Sequence, residues 1–151
     1  MDRKLFLIIC TLFIGVNAFA QNTSATEQAR AALEKALVDF NAANYDAYLT
    51  AFAEDFEGFT GVYSPLRIEG KEAWAKFING LHNYAGTSYV QRQPKYRSYG
   101  DQTVICNSYF VYSTTSKTGV TEIQTGRETT VLIKKDGKWL IANYHFSGMF
   151  P

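Results

Sequence analysis

The chain has 151 residues, 46% of them hydrophobic and 15% aromatic, with 15 basic and 14 acidic side chains and a formal net charge of +1. That length suits one domain around one core. A balance so near neutrality excludes the basic surplus that a nucleic-acid or anionic-membrane partner requires. Two histidines and two cysteines are too few and too scattered for a metal site of three or four ligands, and no cofactor is implied.

The chain opens with Arg3 and Lys4, an apolar run over 5–16, and Ala18-Phe19-Ala20. This is the layout of a secretory signal peptide, so the expectation is cleavage before Gln21 and a mature domain over 21–151. The run is about 12 residues, short of the roughly 20 that span a bilayer. Export to the periplasm or beyond the cell follows, with no stable membrane insertion after cleavage. Losing Arg3, Lys4 and Asp2 takes the 15 basic and 14 acidic residues to 13 each, a net charge of zero. Only Cys106 remains, so no intrachain disulfide supports the mature chain.

Ser24 and Glu27 have the spacing of a capping box. Ala29, Leu33, Ala36, Leu37 and Phe40 then recur at helical spacing, predicting one amphipathic helix to about residue 42. Asn44 and Asp46 cap a short second helix carrying Tyr48, Leu49 and Phe52. Residues 56–60 and 66–68 read as short strands about a turn at Ser64-Pro65. Gly70 opens a third helix with Trp74, Phe77, Ile78 and Leu81 as its apolar stripe, and Asn83 and Gly86 end it. Strands follow over 87–99, 103–115, 125–135 and 138–147. Pro94 lacks a ladder donor, which makes the first of these an edge or bulged strand. Asp136-Gly137 is a tight hairpin turn.

Helices followed by a long meander predict an α+β domain, a cone-like curved antiparallel sheet with three N-terminal helices on its concave face. On the last strand strict alternation puts Leu140, Ala142, Tyr144 and Phe146 on one side and Trp139, Ile141, Asn143 and His145 on the other. Both sides are apolar, whereas a half-solvated sheet alternates with polar residues. One face therefore covers a core or pocket. The other is expected to pair with a second copy, making a homodimer through Trp139, Ile141 and His145.

The stretch RETTVLIKKDGKWLIANYHFSGMFP, with Asp136-Gly137-Lys138-Trp139, His145, Ser147-Gly148 and Glu128-Thr129, resembles the SnoaL-like branch of the nuclear transport factor 2-like superfamily. Gly100-Asp101, Gln93-Pro94 and Tyr48 extend the match over nearly the whole mature chain. The pattern is most similar to the association (hub) domain of calcium/calmodulin-dependent protein kinase II and its bacterial relatives. The resemblance implies a cystatin-like roll around one pocket. It does not imply one function, because this scaffold carries isomerases, dehydratases, cyclases, binding modules and assembly domains. The positions of the hub domain's carboxylate-holding arginines fall at Phe110, Thr130 and Phe146, none charged, so a carboxylate clamp is not expected. If those positions face inward, parity brings Cys106, Ser108, Tyr112, Leu132, Ala142 and Tyr144 in with them.

The expected ligand site is therefore Tyr48, Trp74, Phe110, Tyr112, Thr130, Tyr144 and Phe146. Glu128, the one sheet acid on the inward parity, is the candidate for a polar or catalytic pocket group. Asp46, Asp55 and Glu57 read as capping or exposed acids, Arg92, Lys95 and Arg97 as surface cations. His82 reads as a surface residue, His145 as a packing residue and Cys106 as a small buried thiol. Two functions remain open: a module that binds a small, largely apolar ligand or drives assembly, or an isomerase, dehydratase or cyclase acting in the same pocket without metal.

Overall fold

A computed structural model describes residues 24–60 and 67–149. The expected leader, its cleavage site and the Ser64-Pro65 turn lie outside the described residues.

Helix α1 spans Ala25–Asn41, and its start is the expected capping box, with Ser24 and Glu27 bonded reciprocally. Ala29, Leu33, Ala36 and Phe40 are buried, which is the helical stripe read from the sequence. Helix α2 covers Tyr45–Leu49, with Asn44 at its cap position but without a side-chain cap bond. Helix α3 covers Lys71–Asn79 and continues as a 3-10 turn over Gly80–Asn83. Gly70 caps α3 at φ 83°, a left-handed conformation that glycine adopts without strain.

The strands are β1 Phe52–Phe59, β2 Arg67–Glu69, β3 Gly86–Tyr99, β4 Thr103–Thr115, β5 Thr121–Lys135 and β6 Lys138–Gly148. They form one curved, open sheet in the order β2-β1-β6-β5-β4-β3. The ladder is antiparallel except where β1 lies parallel to β6, a pairing the sequence reading did not anticipate. Pro94 sits where the β3–β4 register shifts, between Arg92 and Lys95. Asp136 and Gly137 both have positive φ in the β5–β6 turn.

Edge strand β3 is tied down by α1. The Asn41 side chain donates to the Tyr89 carbonyl at 2.8 Å and accepts from the Tyr89 N–H at 2.7 Å. One amide thus satisfies two main-chain groups that an edge strand leaves open, and it fixes the position of the Tyr89 ring.

The last strand corrects the expected facing. Leu132 pairs with Ile141 but Val131 pairs with Asn143, so Ala142 is an extra residue in a bulge. One inserted residue reverses the parity on either side of it. Trp139 (8% exposed) and Ile141 (1%) therefore point inward with Tyr144 and belong to the core. They are not available to a second copy. Of the three residues expected at a dimer interface, only His145 is on the outer face, exposed beside Phe59 with ring centres 5.8 Å apart. Ala142 does not line the cavity described next.

Candidate functional site: an aromatic cavity under the sheet

The inner face of the sheet has two ends. At one, Val104, Cys106, Thr130, Leu132 and Ile141 are fully buried. At the other, α3, the 3-10 turn and the inner face of β4, β5 and β6 leave a cavity of about 520 Å³. Its walls include Phe40 from α1, Tyr48 from α2, Trp74 and Phe77 from α3, Tyr84, Tyr89 from β3, Phe110 and Tyr112 from β4, and Tyr144 and Phe146 from β6. Glu122, Gln124 and Thr114 line it from the far end of the β4–β5 hairpin.

The rings support one another. Trp74 stacks on Phe77 (5.2 Å, 11°), and Tyr89 stacks on Phe110 (5.7 Å, 16°). Phe146 meets Phe110 edge-on at 5.3 Å and lies tilted at 48° to Tyr144 at 5.1 Å. Such pairs add about 0.5–1.5 kcal/mol beyond area burial. Phe110 lies against Gly126, where a Cβ would come within 2.5 Å of its ring. Only glycine lets that ring lie flat on β5.

Six of the seven residues expected to form a ligand site line this cavity: Tyr48, Trp74, Phe110, Tyr112, Tyr144 and Phe146. Thr130 does not. It is fully buried at the packed end, cross-strand from Cys106 and Tyr144, and its hydroxyl has no hydrogen-bond partner among the described residues. The parity argument placed it on the correct face but not at the correct depth.

Glu128 points inward and is 4% exposed. It accepts hydrogen bonds from the Tyr89 hydroxyl, the Gln91 amide and the Ser108 hydroxyl. All three donors are neutral, and no ion pair reaches it among the described residues. Glu128 does not line the cavity; Tyr89, which does, stands between. Burial, and then the Glu128 charge with its hydrogen bond, push the Tyr89 phenol far above its ordinary range. Burial also raises Tyr48 and Tyr144, and it pushes Tyr112 up to about 12. The wall phenols are thus neutral hydrogen-bond donors at physiological pH and not bases. The Trp74 indole N–H is buried without a hydrogen-bond acceptor among the described residues, although Tyr48 is near enough for the two to influence each other.

The remaining candidates lie elsewhere. Cys106 is fully buried, and burial raises its thiol to about 11, which suits an inert packing residue. His82 is exposed against the Tyr45 ring at 4.8 Å. Asp46 and Asp55 are exposed, and Glu57 pairs with Arg67 at 3.5 Å. Arg92, Lys95 and Arg97 are exposed on β3 and do not reach the cavity. Among the described residues, no three His, Cys, Asp or Glu side chains gather as a metal site. The sequence reading missed Phe40, Tyr89, Tyr84, Glu122 and Gln124 as wall residues. Phe40 and Tyr89 were visible as apolar positions, but nothing in their spacing separates a cavity wall from a filled core.

Three helical segments against the inner face of an open six-stranded sheet, with a hollow at one end, define a nuclear transport factor 2-like domain. Within that class, the SnoaL-like domain model matches residues 29–151, and the chain belongs to that family. No curated protein matches it by sequence. Among solved structures, a calcium/calmodulin-dependent protein kinase II association domain-like protein from Xanthomonas campestris is 21% identical, covering 82% of this chain and 86% of its own, with a TM-score of 0.71. A scytalone dehydratase-like protein from Novosphingobium aromaticivorans is 14% identical, with coverages of 82% and 83% and a TM-score of 0.73. A ketosteroid isomerase-like protein from Erwinia carotovora atroseptica is 23% identical, with coverages of 88% and 100% and a TM-score of 0.69. At these identities the likeness establishes the fold alone.

Proposed function

We propose that the chain is an exported SnoaL-like binding domain that holds a small, largely apolar ligand in the aromatic cavity and associates with a second copy through the outer face of its sheet. The observation that carries the ligand reading is the cavity itself: about 520 Å³ in volume, walled by stacked rings, with no basic side chain among its described lining residues. Pockets of this size, mostly apolar with a few polar groups, are the usual form of small-molecule sites. The main favourable term is burial of apolar surface, about 25 cal/mol per Å². Neutral phenols on the wall can donate to a ligand oxygen. A carboxylate finds no cation among the described lining residues.

Binding is favoured over an isomerase, dehydratase or cyclase because Glu128 is held by three donors behind the Tyr89 wall. A general base must reach its proton within hydrogen-bond distance. The test is calorimetry with 2-naphthol and 2-naphthoate. 2-Naphthol is expected to bind and 2-naphthoate to bind at least about tenfold more weakly, a difference of about 1.4 kcal/mol. Gln124→Trp, at a half-buried position on the cavity wall, should abolish binding while the fold persists. Failure of 2-naphthol to bind, or tighter binding of 2-naphthoate, overturns the reading.

Self-association is supported by the corrected outer face, which exposes Phe59 (45%), Val90 (38%) and Tyr109 (45%) around half-buried Val111 and Val131. Neighbours described as association domains suit such a role. Export is supported by Arg3, Lys4, the apolar run over 5–16 and Ala18-Phe19-Ala20. N-terminal sequencing of the exported protein should begin within a few residues of Gln21; an intact leader would refute it.

A further inference from the structure

The charges around the cavity are one-sided. Ten of its eighteen described lining residues are aromatic, and none is lysine, arginine or histidine. The single carboxylic side chain among these described residues is Glu122, which sits on the inward side of β5 opposite Thr114, close to the hairpin end. Glu122 is exposed and has no ion pair among the described residues. Behind the inner wall lies Glu128, satisfied by neutral donors only. Its charge is felt across the wall, since it adds to the effect of burial in raising Tyr48, Tyr89 and Tyr144.

Two independent features therefore favour the same sign of ligand charge. Ring faces carry a negative quadrupole and attract a cation held within about 6 Å. Two acids without an ion pair among the described residues, Glu122 in the lining and Glu128 behind the Tyr89 wall, bias the enclosed space toward negative potential. Opposite charge gains from a low-dielectric surround and like charge loses by the same amount.

Resting on the reading of this cavity as a ligand site, we propose that its ligand is an organic cation: an apolar or aromatic body seated among the inner rings, with an alkylated or protonated amine at the mouth between Glu122 and the Tyr84 and Tyr112 rings. Placing the charge at the mouth limits its desolvation, because Glu122 and solvent both reach it there. A quaternary or tertiary amine suits the position better than a primary one, since a compact ammonium is more strongly hydrated. A neutral ligand of the same shape fills the rings equally well but gains nothing from Glu122. An anion is opposed by both acids.

The experiment compares three naphthyl probes of matched size on the full chain by calorimetry: (2-naphthylmethyl)trimethylammonium, its uncharged carbon isostere 2-neopentylnaphthalene, and 2-naphthylacetate. The ammonium is expected to bind about tenfold more tightly than the isostere, and the acetate more weakly than either. Raising the salt should shrink the ammonium's advantage, because the mouth is exposed to screening. Glu122→Gln, at an exposed hairpin position that does not threaten folding, should remove much of that advantage and leave the isostere unchanged. Equal or tighter binding of the isostere overturns the cation inference and leaves the apolar-ligand reading standing. So does an ammonium preference that Glu122→Gln and salt do not touch. Binding by none of the three, or by the acetate best, overturns both.

Discussion

The two ends of the inner sheet face differ in the kind of side chain they present, and that difference separates a core from a site. The packed end presents Val104, Cys106, Thr130, Leu132 and Ile141, small and branched groups that fit closely against a helix at interior density. The hollow end presents Phe110, Tyr112, Tyr144 and Phe146, large flat groups that lean on one another. Rings stacked edge to face cannot follow a short helix and turn as closely as aliphatic groups follow α1. The space they leave is the cavity. The same pleat and the same strands thus give stability at one end and a ligand-sized hollow at the other.

The sharpest break in this comparison is Ile141→Lys. Ile141 is 1% exposed within the core, so the substitution buries an unpaired ammonium. It should cost more than about 4 kcal/mol and unfold the chain or nearly so, read as loss of the cooperative urea transition. A stable variant would mean that the bulge at Ala142 is absent and that Ile141 faces outward. Tyr109→Lys is the outer-face counterpart. Tyr109 is 45% exposed opposite Arg127, so chain stability should change by no more than about 0.5 kcal/mol. Two like charges on a self-complementary face should nevertheless separate the copies, since an isologous contact presents the change twice. Light scattering at micromolar concentration should show a wild-type dimer and a monomeric variant. A wild type that is already monomeric ends the assembly reading.

The fold was largely legible because its signals are periodic. The stripe of α1, the Ser24–Glu27 capping box, Gly70 before α3, Pro94 at the irregular point of β3 and Asp136-Gly137 in the last turn each rest on a local physical rule. The bulge in β6 was not read, yet it left a trace. The polar residues of that strand, Asn143 and His145, alternate with Tyr144 and Phe146, and continuing that alternation backwards clashes with burying Trp139 and Ile141 together. Apolar Leu140 and Ala142 masked the clash by fitting either parity. The candidate site was legible as a face but not as a volume. Parity can say that Thr130 and Tyr112 point the same way. Which of them meets a helix and which meets empty space depends on where α1 ends and α3 begins. The Asn41 clamp on Tyr89 is longer in range still, since 48 residues separate its partners, and no spacing rule announces it.

The smallest expected effect distinguishes the two ends by pH. Each has a titrating group raised by burial: Cys106 at the packed end, from its ordinary 9.0 to about 11, and Tyr112 in the cavity wall, from 10.0 to about 12. Both are neutral when protonated, so the folded chain holds these protons more tightly than the unfolded chain does. Their contribution to stability is complete below the unfolded values and is lost as pH rises through the folded ones. Cys106 acts first, so stability should begin to fall from pH 9.0 and continue to about 11, with the loss from the wall phenol overlapping it from pH 10.0 upward. Cys106→Ala removes that step at the cost of a small void and leaves the later one in place. Urea midpoints measured across this window should therefore converge, the wild type losing its advantage over the variant as pH rises. The hydrogen bonds that Tyr96 and Gln91 offer the sulfur act in the lowering direction, so the convergence measures how far burial prevails over them. Curves that stay parallel would show that water reaches the thiol and that the packed end is as open as the hollow one.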